Sequence, residues 1–135
     1  MFTRASAYLL AVNDGKILLT QLADFCTNAG HWGLPGGGIH HGEQPDECVV
    51  REVWEEAGLK VEDVQLVCAR TFSEVSSRGD FLGVQLVYTA ELEGEPRVLE
   101  VGGSTADVEW VPLEELANRP MLPVVAAALE ARGCG

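Results

Sequence analysis

The stretch GGIHHGEQPDECVVREVWEEAGL, residues 37–59, decides the reading of this chain, because it crowds Glu52, Glu55 and Glu56 onto one turn of an expected helix. Residues three and four apart are neighbours on a helix surface, so the three carboxylates share one arc roughly 100° wide, at about 100° per residue. Like charges so placed repel by roughly a few tenths of a kcal/mol per pair. The only Lys or Arg within the stretch is Arg51. Two readings are open at this point: an acidic face simply solvated by water, or a set of oxygen donors that a divalent cation would neutralise.

The flanking residues favour the second reading. Leu34-Pro35 followed by Gly36, Gly37 and Gly38 ends a short apolar run with residues that permit positive φ and leave the main chain uncrowded, so its carbonyls can approach a ligand. Pro45 suits the first helical position, Asp46 and Glu47 complement the positive helix start, and Gly58 suits a left-handed stop. This punctuation predicts a helix over residues 45–57. Gln44 is a poor N-cap where Ser, Thr or Asp would be preferred. Along the helix Val50, Val53, Trp54 and Ala57 gather on one side as the anchoring face, with Val49 at its border, and the three glutamates gather roughly opposite. Four-residue spacing offers Arg51 either Glu47 or Glu55 as a partner.

At every fixed place the stretch is similar to the signature of the Nudix hydrolase family, MutT-like enzymes among them. The matching positions are Gly37, Glu43, Arg51, Glu52, Val53, Glu55, Glu56, Gly58 and Leu59. With average residue usage, nine such constraints are met by chance on the order of once in a billion starting points. The resemblance implies an α/β fold, an α/β/α sandwich with a mixed β-sheet, formed by residues 1–135 as a single domain. It implies metal-dependent hydrolysis of a diphosphate bond in a nucleoside diphosphate linked to a further group. Carried over position by position, Glu52, Glu55 and Glu56 become metal ligands, joined by the Gly36 carbonyl and, as a further candidate acid, Glu100. Arg51 is read as orienting a catalytic carboxylate, and Glu43 as supporting the loop and helix start. Glu52 is the expected general base, with Glu100 as its rival and Asp107 and Glu109 as weaker ones. Oxygen-only donors fit Mg²⁺, with Mn²⁺ also suited.

Composition agrees with a small enzyme. The chain has 135 residues, 47% of them hydrophobic, enough for one domain. A net charge of −12, with nine Lys and Arg spread along the chain, argues against a nucleic acid polymer as partner but leaves a free nucleotide open, since metal ions bridge acids to phosphates. Residues 5–12 are apolar but too short to span a membrane, and they run into Asn13-Asp14-Gly15, a hairpin turn. The cysteines Cys26, Cys48, Cys68 and Cys134 show no C-x-x-C spacing, which reads as free thiols in a reducing cytoplasm.

Period and punctuation predict strands near 3–12 and 16–22, a polar loop over 23–30, apolar strands at 64–72 and 81–92 separated by a flexible 73–80, a turn-rich 93–104 and a strand at 108–111. A short helix starts at 112–116 and a longer one covers 122–132, with Pro123 in its first turn and Gly133 past its end.

Several further residues attract attention. His40-His41 flanks the glycine loop, where either phosphate contact or plain solvation fits. Trp32 reads as packing. Arg4, Arg70 and Arg78 are phosphate-contact candidates that ordinary surface charge explains equally well, and Arg78-Gly79-Asp80 carries no adhesive meaning in a cytoplasmic chain. Family subgroups are sometimes told apart by a proline or tyrosine about 15 to 18 residues past the signature. Residues 74–77 hold neither, and no coenzyme A type signature precedes Trp32. The resemblance therefore leans away from ADP-ribose, dinucleoside polyphosphates and coenzyme A, towards a nucleoside triphosphate or a modified nucleotide. A non-catalytic, nucleotide-binding Nudix-like regulator is the alternative, and a purely structural domain the third. The resemblance also keeps a homodimer open.

Overall fold

The computed structural model describes residues 2–100 and 102–134. In chain order the elements are β1 (Phe2–Leu9), β2 (Val12–Asn13), β3 (Lys16–Leu22), β4 (Trp32–Gly33), β5 (Gly36–Gly38), α1 (Pro45–Ala57), β6 (Lys60–Ser76), β7 (Gly79–Glu93), β8 (Thr105–Pro112), a 3₁₀ helix (Leu113–Asn118) and α2 (Pro123–Cys134). One sheet has the order β5-β1-β7-β6 and is mixed: β1 and β7 run parallel, whereas β1 with β5 and β6 with β7 are antiparallel. In the second sheet β3 pairs antiparallel with β2, β4 and β8.

Successive residues of a strand point to opposite faces, and a strand covered on both sides reads as an unbroken apolar run. Only the inner parts of β1 and β3 are covered on both faces, with Ser6 and Ala7 of β1 and Ile17, Leu18, Leu19 and Thr20 of β3 buried at successive positions. Ala7, Leu9 and Leu18 join Cys48, Val49, Val53 and Ala57 of α1 in one apolar cluster, while Leu10, Ile17 and Leu19 join Val124, Val125 and Ala128 of α2 in another. The two clusters give the α/β/α layering that the resemblance implies.

Several boundaries differ from the sequence reading. Residues 3–12 do not form one strand, because the chain leaves the first sheet after Leu9 and enters the second at Val12. The hairpin that follows is as expected, with positive φ at both Asp14 (51°) and Gly15 (75°). Residues 73–80 are not a flexible linker. Pairing of β6 with β7 continues to Ser76 and Gly79, and Phe2, Phe81 and Phe72 pack in a row with ring centroids 5.2 and 5.6 Å apart. This aromatic row supplies the apolar contact that the polar tip lacks in sequence. The predicted strand at 108–111 begins earlier, at Thr105, and the helix start at 112–116 is the 3₁₀ turn.

The anchoring face of α1 also needs correction. Val53 and Ala57 are buried as expected, together with Cys48 and Val49, but Val50 and Trp54 are 42% and 45% exposed. The cause lies in the glycine strand. The Gly36 N–H donates to Glu56 Oε1 at 3.1 Å, and the Cys48 thiol donates to the Gly37 and Gly38 carbonyls at 3.5 and 3.6 Å. These bonds roll the helix so that Glu56 faces inward and Trp54 faces out.

Candidate active site

The glycine run is a strand rather than an open loop. Gly36, Gly37 and Gly38 pair with Tyr8, Ala7 and Ser6. A Cβ at Gly36 would collide with the Ala7 carbonyl oxygen and stand 2.7 Å from the Tyr8 Cα. The missing side chains therefore let β5 lie flat between β1 and the acidic face of α1.

The start of that helix is better fixed than the poor N-cap predicts, because Glu47 Oε1 accepts the Gln44 N–H at 2.9 Å. Glu47 is thus committed to the cap and is not the partner of Arg51. The bidentate partner of Arg51 is Glu43, to which the sequence assigns only a supporting role, and Glu55, the other partner that four-residue spacing offers, is met as well. Arg51 Nε and Nη2 reach Glu43 Oε2 and Oε1 at 2.7 and 3.0 Å, a bidentate pair, and Nη2 also donates to the Gly38 carbonyl at 3.2 Å. On its other side Arg51 Nη1 donates to Glu52 at 2.7 Å and to Glu55 at 3.4 Å. The Arg51 guanidinium beside Glu43 holds that carboxyl down at about 2, helped by the His40 N–H, and Glu43 in turn pushes the Arg51 pKa upward.

The three glutamates of the helix meet different surroundings. Glu52 lies against Gly37, where an added Cβ would stand 3.0 Å from its carboxyl carbon and 3.1 Å from each oxygen. Glu55 is part-exposed, and burial pushes its pKa up, with the Glu52 charge adding to the effect. Glu56 is only 7% exposed. Burial pushes its carboxyl well above the usual range, against the Gly36 N–H, which favours the charged form. Among the described residues no three His, Cys, Asp or Glu side chains already stand as a preformed metal cage. Arg51 instead draws Glu52 and Glu55 to itself, so a cation would compete with that guanidinium.

The donor chemistry nevertheless fits a hard cation: carboxylates only, on one helical arc, one of them buried, against a backbone whose Gly37 leaves space beside Glu52. A cleft of about 260 Å³ adjoins Gly37, lined by Arg4, Tyr8, Gly36, Gly37 and Glu56 among others; of the three acids only Glu56 is part of its lining. The Arg4 guanidinium lies over Gly38. A larger cavity of about 680 Å³, near Leu59, Trp110 and Arg132, includes none of the three acids and no glycine of β5, so size alone does not locate the chemistry.

Glu100 is brought to the same place by a device that the sequence reading missed. The last carbonyls of a helix lack intrahelical donors. Here the Leu99 and Glu100 N–H groups donate to the Glu55 carbonyl at 3.2 and 3.1 Å, and the Arg97 N–H to that of Ala57 at 2.7 Å. The Glu100 charge contributes to the raised Glu55 pKa. Its rivals are occupied elsewhere: Glu109 pairs with Arg119 at 2.6 Å, and Asp107 accepts the Val108 N–H at 2.8 Å. Trp32 is buried with Arg119 stacked 5.0 Å over its ring, which makes it packing. His40 and His41 are exposed, and burial pushes the Cys48 thiol up to about 11, far from a nucleophile. Cys26, Cys48 and Cys68 are free, while the Cys134 side chain lies outside what is described.

The NUDIX domain family profile matches residues 1–131. The putative 8-oxo-dGTP diphosphatase 3 of Mycobacterium tuberculosis (strain CDC 1551 / Oshkosh) is 32% identical over 114 residues, covering 83% of this chain and 51% of that protein. The chain thus spans about half the length of that curated relative. Among solved structures, the MutT NUDIX hydrolase from Burkholderia pseudomallei superposes with a TM-score of 0.83 at 32% identity, over 97% of this chain and 98% of that one. The NUDIX domain of Shewanella oneidensis NrtR complexed with ADP ribose aligns at 25% identity with a TM-score of 0.76, over 97% of this chain and 85% of that one.

Proposed function

Because the chain belongs to the Nudix family, we propose that it is a divalent-metal-dependent pyrophosphohydrolase acting on a nucleoside diphosphate derivative, with a nucleoside triphosphate or a modified nucleotide as substrate. The observation that carries the reading is the burial of Glu56 beneath the Gly36 N–H, with Glu52 and Glu55 on the same arc. A protein with no use for a cation there would gain by replacing a buried carboxylate with an uncharged side chain.

Glu52, Glu55 and Glu56, with the Gly36 carbonyl, would hold Mg²⁺ or Mn²⁺. When bound, the cation neutralises phosphate oxygens and makes water a better nucleophile. The chain's own residues do the rest. Arg51, locked by Glu43, fixes the Glu52 carboxylate through its 2.7 Å bond beside Gly37, a residue of the cleft wall, where Glu52 would act as general base. Gly37 provides the room for that carboxylate. Glu100, held beside Glu55 by backbone bonds, is a further acid of the site, and Arg4, in the cleft's lining, supplies positive charge for a phosphate.

The same reading treats residues 1–135 as one domain acting in the cytoplasm on small nucleotides. No helix among the described residues is long and apolar enough to cross a membrane. The test is product release from a panel of nucleotides with and without Mg²⁺. Metal-dependent release of pyrophosphate or phosphate supports the enzyme. Nucleotide binding with no turnover at any metal concentration supports the non-catalytic regulator instead.

A further inference from the structure

Beside the glycine strand a second cleft of about 450 Å³ shares Tyr8 and Leu122 with the first, so the two adjoin. Asn28, Ser73 and Glu74 are polar residues of its lining, and beside them stands one bonded pair. Arg70 on β6 and Gln85 on β7 are register partners, and Arg70 Nη1 donates to Gln85 Oε1 at 2.8 Å. That bond uses the acceptor of the amide and one guanidinium N–H. What the pair still offers is a set of donors: the amide NH₂ of Gln85 and the remaining N–H groups of Arg70.

The apolar wall is equally defined. Phe72 lies two residues from Arg70 and so shares its face of β6. Gly83, its register partner, leaves the space that the Phe72 ring occupies, since a Cβ there would run into that ring. Contact with Phe81 at 5.6 Å steadies the aromatic plane. Leu122 and Pro123, at the start of α2, line the same cleft. A flat ring system seated against Phe72 would meet the Arg70–Gln85 donors at its edge, with its sugar and phosphates directed through Tyr8 towards Arg4, Gly36 and Glu56.

Resting on the reading that the substrate is a nucleotide, we infer that this second cleft takes the base, and that the Arg70–Gln85 pair selects a 6-oxopurine. The edge of a guanine or hypoxanthine ring carries two acceptors, O6 and N7, which suit a donor pair. Adenine places an amino group at the same position, donor against donor. A well-made pair of this kind discriminates by about 1–3 kcal/mol, which is tenfold or more in affinity.

The experiment is calorimetric titration of GMP, IMP and AMP into the metal-free protein, wild type, Arg70→Met and Gln85→Glu, paired with hydrolysis of GTP and ATP in Mg²⁺. Wild type binds GMP and IMP at least about tenfold more tightly than AMP. Arg70→Met removes that preference while leaving AMP affinity within twofold, which also shows that the variant is folded. Gln85→Glu, which keeps a partner for Arg70 but replaces the amide donors by a carboxylate, narrows the gap by favouring the 6-amino group. Equal binding of the three nucleotides by wild type, or equal weakening of all three in Arg70→Met, overturns the inference. A binding preference without hydrolysis of either triphosphate removes the proposed function and leaves the base assignment standing.

Discussion

The Gly36 N–H and Glu56 Oε1 meet at 3.1 Å across twenty residues of sequence, and this bond joins the glycine strand to the acidic helix. Its carboxylate is buried and its pKa is raised by that burial. The ionised form is thus disfavoured in the folded state relative to the unfolded chain, where Glu titrates near about 4.3. Stability contributed by the protonated group is full below that value and falls as pH rises through it towards the folded pKa. Glu56→Gln, which can still accept the Gly36 N–H, should flatten this slope. It should raise the metal-free Tm at pH 7 to 8 by a few degrees, the shift that about 1 kcal/mol makes in a domain of this size. Metal-dependent turnover should fall in the same variant. Thermal scans across pH check the first point and product release the second.

Glu52→Gln separates chemistry from folding. The side chain lies against Gly37 and Arg51, and an amide fits the same space. Circular dichroism and Tm should stay near wild type while turnover falls by several powers of ten, about the general-base contribution of 10²–10⁴ with loss of a charged ligand added. Near-normal turnover would remove Glu52 as the base.

Two glycines one residue apart should respond differently. A Cβ at Gly36 meets the main chain of Ala7 and Tyr8, which cannot yield without parting β1 from β5, so Gly36→Ala should destabilise by roughly 1–3 kcal/mol. The three atoms nearest to a Cβ at Gly37 all belong to the Glu52 carboxyl group, at 3.0 to 3.1 Å. Gly37→Ala should therefore fold, with the larger loss in kcat, because it displaces Glu52. Denaturant melts and steady-state kinetics on the two variants give the comparison.

Glu43 makes an acid-side prediction. Its pKa is held at about 2 by Arg51 and the His40 N–H. A depressed carboxylate adds stability above its unfolded value and loses it as pH falls through the folded one, so the window runs from about pH 4.3 down to about pH 2. Wild type should lose Tm across that window, whereas Glu43→Gln, starting from a lower Tm at neutral pH, should lose less of it there.

Much of the candidate site is legible in residues 37–59, because helix spacing, Pro45 and Gly58 are local signals that tertiary packing had no reason to override. The helix emerged with the expected bounds and the three acids on one arc. What local spacing could not give was the roll of that helix. Four-residue periodicity places Trp54 beside Val50 and Val53, but bonds from Gly36 and to Gly37 and Gly38 turn Glu56 inward and leave Trp54 exposed. The Arg51–Glu43 pair was missed for a similar reason. Glu43 lies before the helix, outside any i,i+4 rule, and reaches Arg51 only because the chain bends at 39–44. The signal for Glu100 was present but indirect, since the helix carbonyls of Glu55 and Ala57 need donors from somewhere. The Arg70–Gln85 pair depends on the register of β6 with β7, which no single-strand pattern specifies.

In the proposed function Glu52, Glu55 and Glu56 together capture a divalent cation beside the glycine strand. Mn²⁺ titration followed by electron paramagnetic resonance, on wild type and on the Glu55→Gln and Glu56→Gln variants, tests it most directly. Wild type should show a site whose affinity falls tenfold or more in each variant, with Mg²⁺ competing for it. Mn²⁺ affinity unchanged in both variants would contradict it.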